Sequence, residues 1–183
     1  MTMPEGFRYQ PAVISEQEEN ELLPKIGGLD FKPFDFHGFL GNRRVISFGW
    51  RYDFSDSKLK KADPIPPFLF PVRDLAARFA DVDPSTIGHV LVTEYAPGAA
   101  IGWHRDRFIF GDVIGVSLHS ECTFRMRHKT GTKWDRASMV LEPRSAYVMR
   151  GTARTVWEHS IPAVEQLRYS ITFRTMMKEE GER

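Results

Sequence analysis

The sequence predicts a mainly β protein with flanking helices, built on an antiparallel sandwich or jelly-roll core. Three observations carry this. After Ile87 come six short runs rich in β-branched and aromatic residues: "HVLVTEY", "DVIGVSLH", "CTFRMRH", "SMVLE", "AYVMR" and "RYSITFRT". Turn-forming pieces such as "APG", "KTGT" and "EPR" separate them, with no helical pattern between. Short strands joined without helices pair antiparallel. Helix signatures, by contrast, fall before Ile87.

Taken in chain order, Ser15 followed by Glu18 is a capping box, in which each side chain bonds the other's backbone N–H; it opens a short acidic helix that "PKIGG" stops near Gly27. From Phe31 to Tyr52 aromatic and β-branched residues dominate, interrupted by "FLGN", which reads as a hairpin turn. "SDSKLKKADPIPP" reads as a polar, proline-punctuated loop. Pro71, whose fixed φ suits a first helical turn, starts "PVRDLAARFA", with Leu75 and Phe79 at helical spacing and "DPST" beyond its end. The expected organisation is an α/β extension over 1–86, a jelly-roll core over 87–176 and a tail over 177–183, in one compact domain.

Composition narrows the classes. A 183-residue chain with 42% hydrophobic and 27% charged residues has enough apolar content for a sizeable core. No apolar run approaches the ~20 residues that cross a bilayer as a helix. The single cysteine, Cys122, excludes an internal disulfide. With no apolar stretch in "MTMPEGFRYQ", a reducing, cytoplasmic setting and a monomer are the expectations. Net charge is +1, unevenly spread. Residues 43–61 and 125–136 each carry a local excess of four positive charges. Each stretch reads either as a phosphate-facing surface or as a solvated hairpin.

The chemistry-bearing residues begin with "IGWHRDRFIF". In an extended chain His104 and Asp106 point the same way, because side chains alternate with a period of two. His159, in "TVWEHSIPA", supplies a third ligand if the sheet folds back on itself. Two histidines and one carboxylate form a facial triad that leaves positions open on Fe(II), although zinc hydrolases also use three protein ligands. In "RYSITFRT", Arg168, Ser170, Thr172 and Arg174 share one face, and Tyr169, Ile171 and Phe173 share the other. Arginines turned inward call for an anion, and two of them about 20 Å apart along the strand leave room for a small dicarboxylate.

From Leu91 to Arg174 these segments resemble the AlkB family of Fe(II)- and 2-oxoglutarate-dependent dioxygenases. The matching pieces are "EYAPG", "HRD", "IGVSL", "AYVMRGTARTVWEHSIP" and "RYSITFR", with Met149, Gly151, Arg154 and Trp157 at the family's spacing. "RRVISFGWRYDF" and "DPIPPFL" look like its substrate-recognition hairpin and following loop. The resemblance implies a double-stranded β-helix core in which His104, Asp106 and His159 hold iron. It implies that Arg168, helped by Tyr95, pairs with the far carboxylate of 2-oxoglutarate, and that Arg174 sits near the carboxylate that chelates the metal. Leu91, Thr93 and Ser170 complete the expected cofactor contacts. The implied activity consumes O2, converts 2-oxoglutarate to succinate and hydroxylates a C–H bond. On an N-methylated base, the product sheds formaldehyde.

Alkylated DNA or RNA is the expected substrate, with Trp50 and Tyr52 as stacking residues and Arg44 and Arg51 on phosphate. The alternative is the same oxidation on a protein side chain or a small metabolite. Three positions depart from the family pattern. Thr93 and Ser170 stand where many members carry asparagine, keeping a hydrogen-bonding group of shorter reach. Phe108 stands where several repair members carry a second acid, which bears on base choice.

Overall fold

The computed structural model describes residues 2–36 and 39–177. The chain runs β1 (Phe7–Gln10), α1 (Glu16–Gly27), β2 (Lys32–Phe36), β3 (Phe39–Asp53), β4 (Lys58–Lys61) and α2 (Phe70–Ala80). Then come β5 (Ile87–Tyr95), β6 (Ile101–His104), β7 (Phe110–Leu118), β8 (Cys122–Thr130) and β9 (Lys133–Leu141). The last elements are β10 (Ala146–Met149), the one-turn α3 (Gly151–Thr155), β11 (Glu158–Ile161) and β12 (Arg168–Met176).

Two antiparallel sheets face each other. The larger follows the order β1-β10-β7-β12-β5-β3-β2, with β4 pairing to β3; the smaller is β6-β11-β8-β9. Period-two alternation gives the larger sheet two different faces. Val90, Val92, Ile114, Val116, Tyr169, Ile171 and Phe173 pack with Leu22 and Ile26 of α1 and Val72, Ala76 and Ala77 of α2. The opposite face turns toward the smaller sheet, where Phe124, Met126, Tyr147, Met149 and Ile161 form a second core. This second layer encloses the site.

The capping box of α1 is formed as the sequence requires, with Glu18 N–H donating to Ser15 Oγ at 3.1 Å and Ser15 N–H to Glu18 Oε2 at 2.7 Å. Four details differ from the sequence reading. The expected hairpin is formed by β2 and β3, but "FLGN" itself lies inside β3, because β2 ends at Phe36 and β3 already begins at Phe39. "KLKK" is a strand rather than loop, with Lys61 opposite Trp50 and Lys58 opposite Asp53. Its lysines are what a sheet edge uses to discourage further pairing, so they masked the strand. "FRYQ" near the N-terminus forms β1 and pairs with β10. The core is also not free of helices, since α3 interrupts it.

α3 delivers Arg154, which is 6% exposed and fans its guanidinium over four backbone carbonyls. It donates from Nε to Gly111 (3.1 Å), from Nη1 to Asp106 (3.1 Å) and from Nη2 to Phe110 (2.9 Å) and Arg107. Two of these carbonyls, of Asp106 and Arg107, lie in the loop after β6, which has no ladder, and the other two open β7, so one planar cation ties the loop to the strand that follows it. Arg154→Met should cost about 3 kcal/mol in urea denaturation, since it strands several carbonyls at once. Arg154→Lys, which has no fork, should recover less than half of that loss.

Candidate active site

His104 and His159 are Cα partners across the antiparallel β6–β11 pair, so their rings project to the same side and lie 4.1 Å apart between centroids. His104 Nδ1–H donates to Gly102 carbonyl at 2.8 Å, which leaves Nε2 unprotonated and facing inward. Asp106 comes from the loop pinned by Arg154. Its Oδ1 lies 3.6 Å from His104 Nε2 and 3.7 Å from His159 Nε2. All three ligand atoms fall within 4.8 Å of one another. That spacing suits one ion at the centre of two nitrogens and an oxygen.

The other carboxylate oxygen is spoken for. Arg174 Nε donates to Asp106 Oδ2 at 2.7 Å, and Arg174 Nη1 donates to His89 Nδ1 at 3.1 Å. His89 is the Cα partner of Arg174 and stacks on Phe110 at 4.8 Å. Burial raises the Asp106 carboxyl pKa, but Arg174, then His159 and His104, outweigh it and hold the group well below the usual carboxylate range. Burial, reinforced by the neighbouring His104, pushes His159 down to about 3. His104 keeps a third of its side chain accessible, yet the crowding around it still lowers its pKa, chiefly through desolvation. His89 is lowered by burial and then by Arg174. At neutral pH the centre is therefore one anion and neutral imidazoles, the protonation state that binds a divalent cation.

Deeper along β12, Arg168 is 1% exposed. Its Nε donates to Ser117 Oγ at 3.1 Å and its guanidinium lies 5.0 Å from the Tyr95 ring centre, while Nη1 has no hydrogen-bond partner. A buried cation with an unsatisfied N–H is costly unless an anion completes it. Thr93 is the Cα partner of Ser170, which also faces Ser117 on β7; Leu91 is the partner of Thr172. These residues line the strip of sheet between Arg168 and Arg174.

A comparison with family models matches residues 32–174 to the "2OG-Fe(II) oxygenase superfamily". The chain belongs to that superfamily. This oxygenase is AlkB-like: it is 29% identical over 87% of its length to "tRNA (carboxymethyluridine(34)-5-O)-methyltransferase ALKBH8" of Macaca fascicularis, covering 24% of that protein. It is 32% identical to "Uncharacterized protein L905" of Acanthamoeba polyphaga mimivirus, over 96% of this chain and 87% of the relative. The oxygenase thus spans about a quarter of the methyltransferase relative's length. Among solved structures, that of OsALKBH1 superimposes with a TM-score of 0.70 at 13% identity, covering 96% of this chain and 99% of the other; it has the same double-stranded β-helix fold.

Membership brings Fe(II) and 2-oxoglutarate as cofactors, and the residues fit them. His104, Asp106 and His159 would hold the metal, and the orphaned Nη1 of Arg168 would meet the far carboxylate of 2-oxoglutarate. Bound there, the pair supplies O2-dependent oxidation of a C–H bond, with 2-oxoglutarate leaving as succinate and CO2. The protein's part is to fix the Asp106 carboxylate through Arg174, to keep both histidines neutral, and to surround the pocket with apolar walls.

Sequence reading overlooked four groups here. Ser117 belongs to no recognisable catalytic motif, and it supports Arg168. His89 lies outside every motif, although it shares the parity of Leu91, Thr93 and Tyr95 along β5. Arg43, stacked 3.8 Å from the Phe34 ring centre, lies close enough to contribute to lowering the His104 pKa. Arg154 was noted only for its spacing. Of the residues expected at the substrate, Arg44 pairs with Glu94 at 2.7 Å, and Tyr52 lies under the Arg107 guanidinium at 4.9 Å. Trp50 lies against Gly88 and within 5.9 Å of Lys61 Nζ. Arg51 is exposed, and Phe108 is 79% exposed. His37 lies outside the described residues.

Arg168→Met should weaken 2-oxoglutarate binding about 100-fold in calorimetry with the Mn(II)-loaded protein, because it removes a buried charge-assisted bond. The pH dependence of stability carries its own sign. His89, His104 and His159 have folded-state pKa values below their unfolded value of about 6.5, so unfolding takes up protons. Stability of the metal-free protein should be fully present above pH 6.5 and fall as pH drops below it, with more than one proton taken up on unfolding at pH 5.5. Denaturation curves that coincide at pH 7.5 and 5.5 would contradict the neutral-histidine centre.

Proposed function

We propose that this oxygenase oxidatively removes alkyl groups from bases of DNA or RNA. The observation that carries the reading is the outer face of the smaller sheet. There the Arg127 guanidinium stacks between Trp103 (4.4 Å) and Trp134 (4.3 Å), with Arg125 also over Trp103 at 5.0 Å. Two clefts open on this face. One of about 250 Å³ is lined by Arg105, Arg127, Lys129, Trp134 and Glu158, which accepts from Arg127 Nε at 2.6 Å and leaves the other cations of this face to meet phosphate, and one of about 410 Å³ is lined by Trp103, Arg125 and Arg136. Arginine and tryptophan interleaved in this way suit a phosphate backbone and unstacked bases together.

The surface adjoins the metal ligands along the chain. Trp103 and Arg105 flank His104 on the chain, and Phe108 projects from the loop that carries Asp106. An alkylated base must leave its stack to reach a buried oxidant, and an exposed aromatic ring at that loop is suited to receive it. The relatives' names, among them an "Alkylated DNA repair protein ALKBH8 homolog" of Arabidopsis thaliana, support nucleic acid as the substrate class.

Oxidation of a protein side chain or metabolite is the second reading, favoured by charge neutralisation on the other basic stretch. Lys60 sits between Asp53 (2.6 Å) and Asp56 (2.7 Å), and Arg44 pairs with Glu94, so residues 43–61 offer phosphate less than their composition implied.

Mass spectrometry of methylated DNA and RNA oligonucleotides, incubated with Fe(II), 2-oxoglutarate and O2, decides between them. Loss of a methyl group with the intact protein and not with Asp106→Ala is the expected result. Unchanged oligonucleotides alongside continued succinate formation would move the substrate to proteins or metabolites. Within the nucleic-acid reading, Lys133→Glu with Arg136→Glu should cut oligonucleotide affinity about tenfold and flatten its salt dependence. Substrate-free consumption of 2-oxoglutarate should stay unchanged.

A further inference from the structure

We infer that Tyr147 is an additional 2-oxoglutarate-positioning residue, whose phenol donates a hydrogen bond into the pocket between Arg168 and Arg174. This rests on the placement of the cofactor against Arg168.

The inference starts from a gap in the sheet. Tyr147 on β10 is the Cα partner of Gly115 on β7, and Gly115 is in turn the partner of Thr172 on β12. A Cβ built on Gly115 would lie 2.2 Å from Tyr147 Cε1, 2.4 Å from Cζ and 2.6 Å from the hydroxyl. The ring therefore lies flat across Gly115, in the space where any other residue would place a side chain. Neighbouring strands are about 4.8 Å apart, so a tyrosine that crosses the middle strand brings its hydroxyl toward Thr172 on β12. Thr172 lies between Ser170 and Arg174, on the strip that faces the pocket.

The ring is engaged by aromatic neighbours. Phe7 stacks on it at 5.8 Å and Phe124 at 4.9 Å, and Phe124 in turn stacks on the metal ligand His159 at 5.6 Å. The hydroxyl is not: among the described residues it neither donates nor accepts a hydrogen bond. The side chain as a whole is only 9% exposed, and a phenol so placed normally finds a partner. Burial raises its pKa, and the charged or phenolic groups that act on it are Asp106, Arg168, Tyr95 and Arg174, the groups that bound the pocket. It is therefore a protonated donor at neutral pH, aimed where a dicarboxylate would lie.

The position also answers a deficit. Thr93 and Ser170 are short side chains that leave the pocket floor low on reach. A phenol crossing from two strands away can supply a donor that neither provides.

Tyr147→Phe keeps the ring and its stacking while removing only the hydroxyl. By calorimetry on Mn(II)-loaded protein, it should raise the Kd for 2-oxoglutarate about tenfold, the size of one hydrogen bond to a charged acceptor. Mn(II) affinity and Tm should stay unchanged. A change in Kd below about twofold would overturn the inference and leave Tyr147 a packing residue. Fluorotyrosine labelling gives a second readout, since the chain has five tyrosines. The 19F resonance missing from Tyr147→Phe should shift when 2-oxoglutarate is added, and a stationary resonance would also overturn the inference. Arg168→Met separates the levels. If it binds 2-oxoglutarate as the unaltered chain does, the cofactor placement itself fails; if it loses binding while Tyr147→Phe does not, only the role of Tyr147 fails.

Discussion

The site depends on one carboxylate used from both sides. Asp106 turns Oδ1 toward two imidazole nitrogens and gives Oδ2 to Arg174. Buried alone, an aspartate would take up a proton and lose its value as a metal ligand. Arg174 prevents that, and because its fork also reaches His89, the guanidinium is itself held in place. Breaking the Arg174 contact would leave a buried carboxylate beside two neutral histidines, with neither a fixed direction nor a countercharge.

Everything else in the core arranges for that carboxylate to arrive. The backbone bearing Asp106 is not in a strand, so no ladder sets its position, and Arg154 replaces the ladder with a fan of donors. The histidines need no such device, because antiparallel register already places them opposite each other. The larger sheet divides its labour by parity. Even positions of β5 pack under the helices, while His89, Thr93 and Tyr95 face the smaller sheet together with Arg168 and Arg174 of β12. A polar strip inside a protein is expensive. Ser117, Tyr95 and Asp106 offset part of that cost, and a bound dicarboxylate would offset the remainder at Arg168.

Much of this was legible from the sequence because it rests on local rules. The capping box at Ser15 and Glu18, the proline at the start of α2 and the alternation in "RYSITFRT" each follow from a few adjacent residues. The triad was legible only in part. Spacing put His104 and Asp106 on one side, whereas His159 required the sheet to fold back, which the jelly-roll reading supplied and the family resemblance then reinforced. The parts that were missed lie across strands. Tyr147 over Gly115 and Ser117 against Arg168 depend on register between strands distant in sequence, and no local pattern encodes it. "KLKK" was hidden because a strand that guards an edge is composed like a loop. His89 is the exception, since the alternation through Leu91, Thr93 and Tyr95 already pointed to its face.

The central claim is that His104, Asp106 and His159 bind Fe(II) in a site that 2-oxoglutarate enters through Arg168. The most direct test is an anaerobic titration of the Fe(II)-loaded protein with 2-oxoglutarate, followed by visible absorption. Chelation of the metal by the 2-oxo acid should produce a saturable charge-transfer band at one equivalent per chain, absent from Asp106→Ala and displaced to far higher 2-oxoglutarate concentration in Arg168→Met. A protein that takes up Fe(II) but develops no band at saturating 2-oxoglutarate would contradict the account.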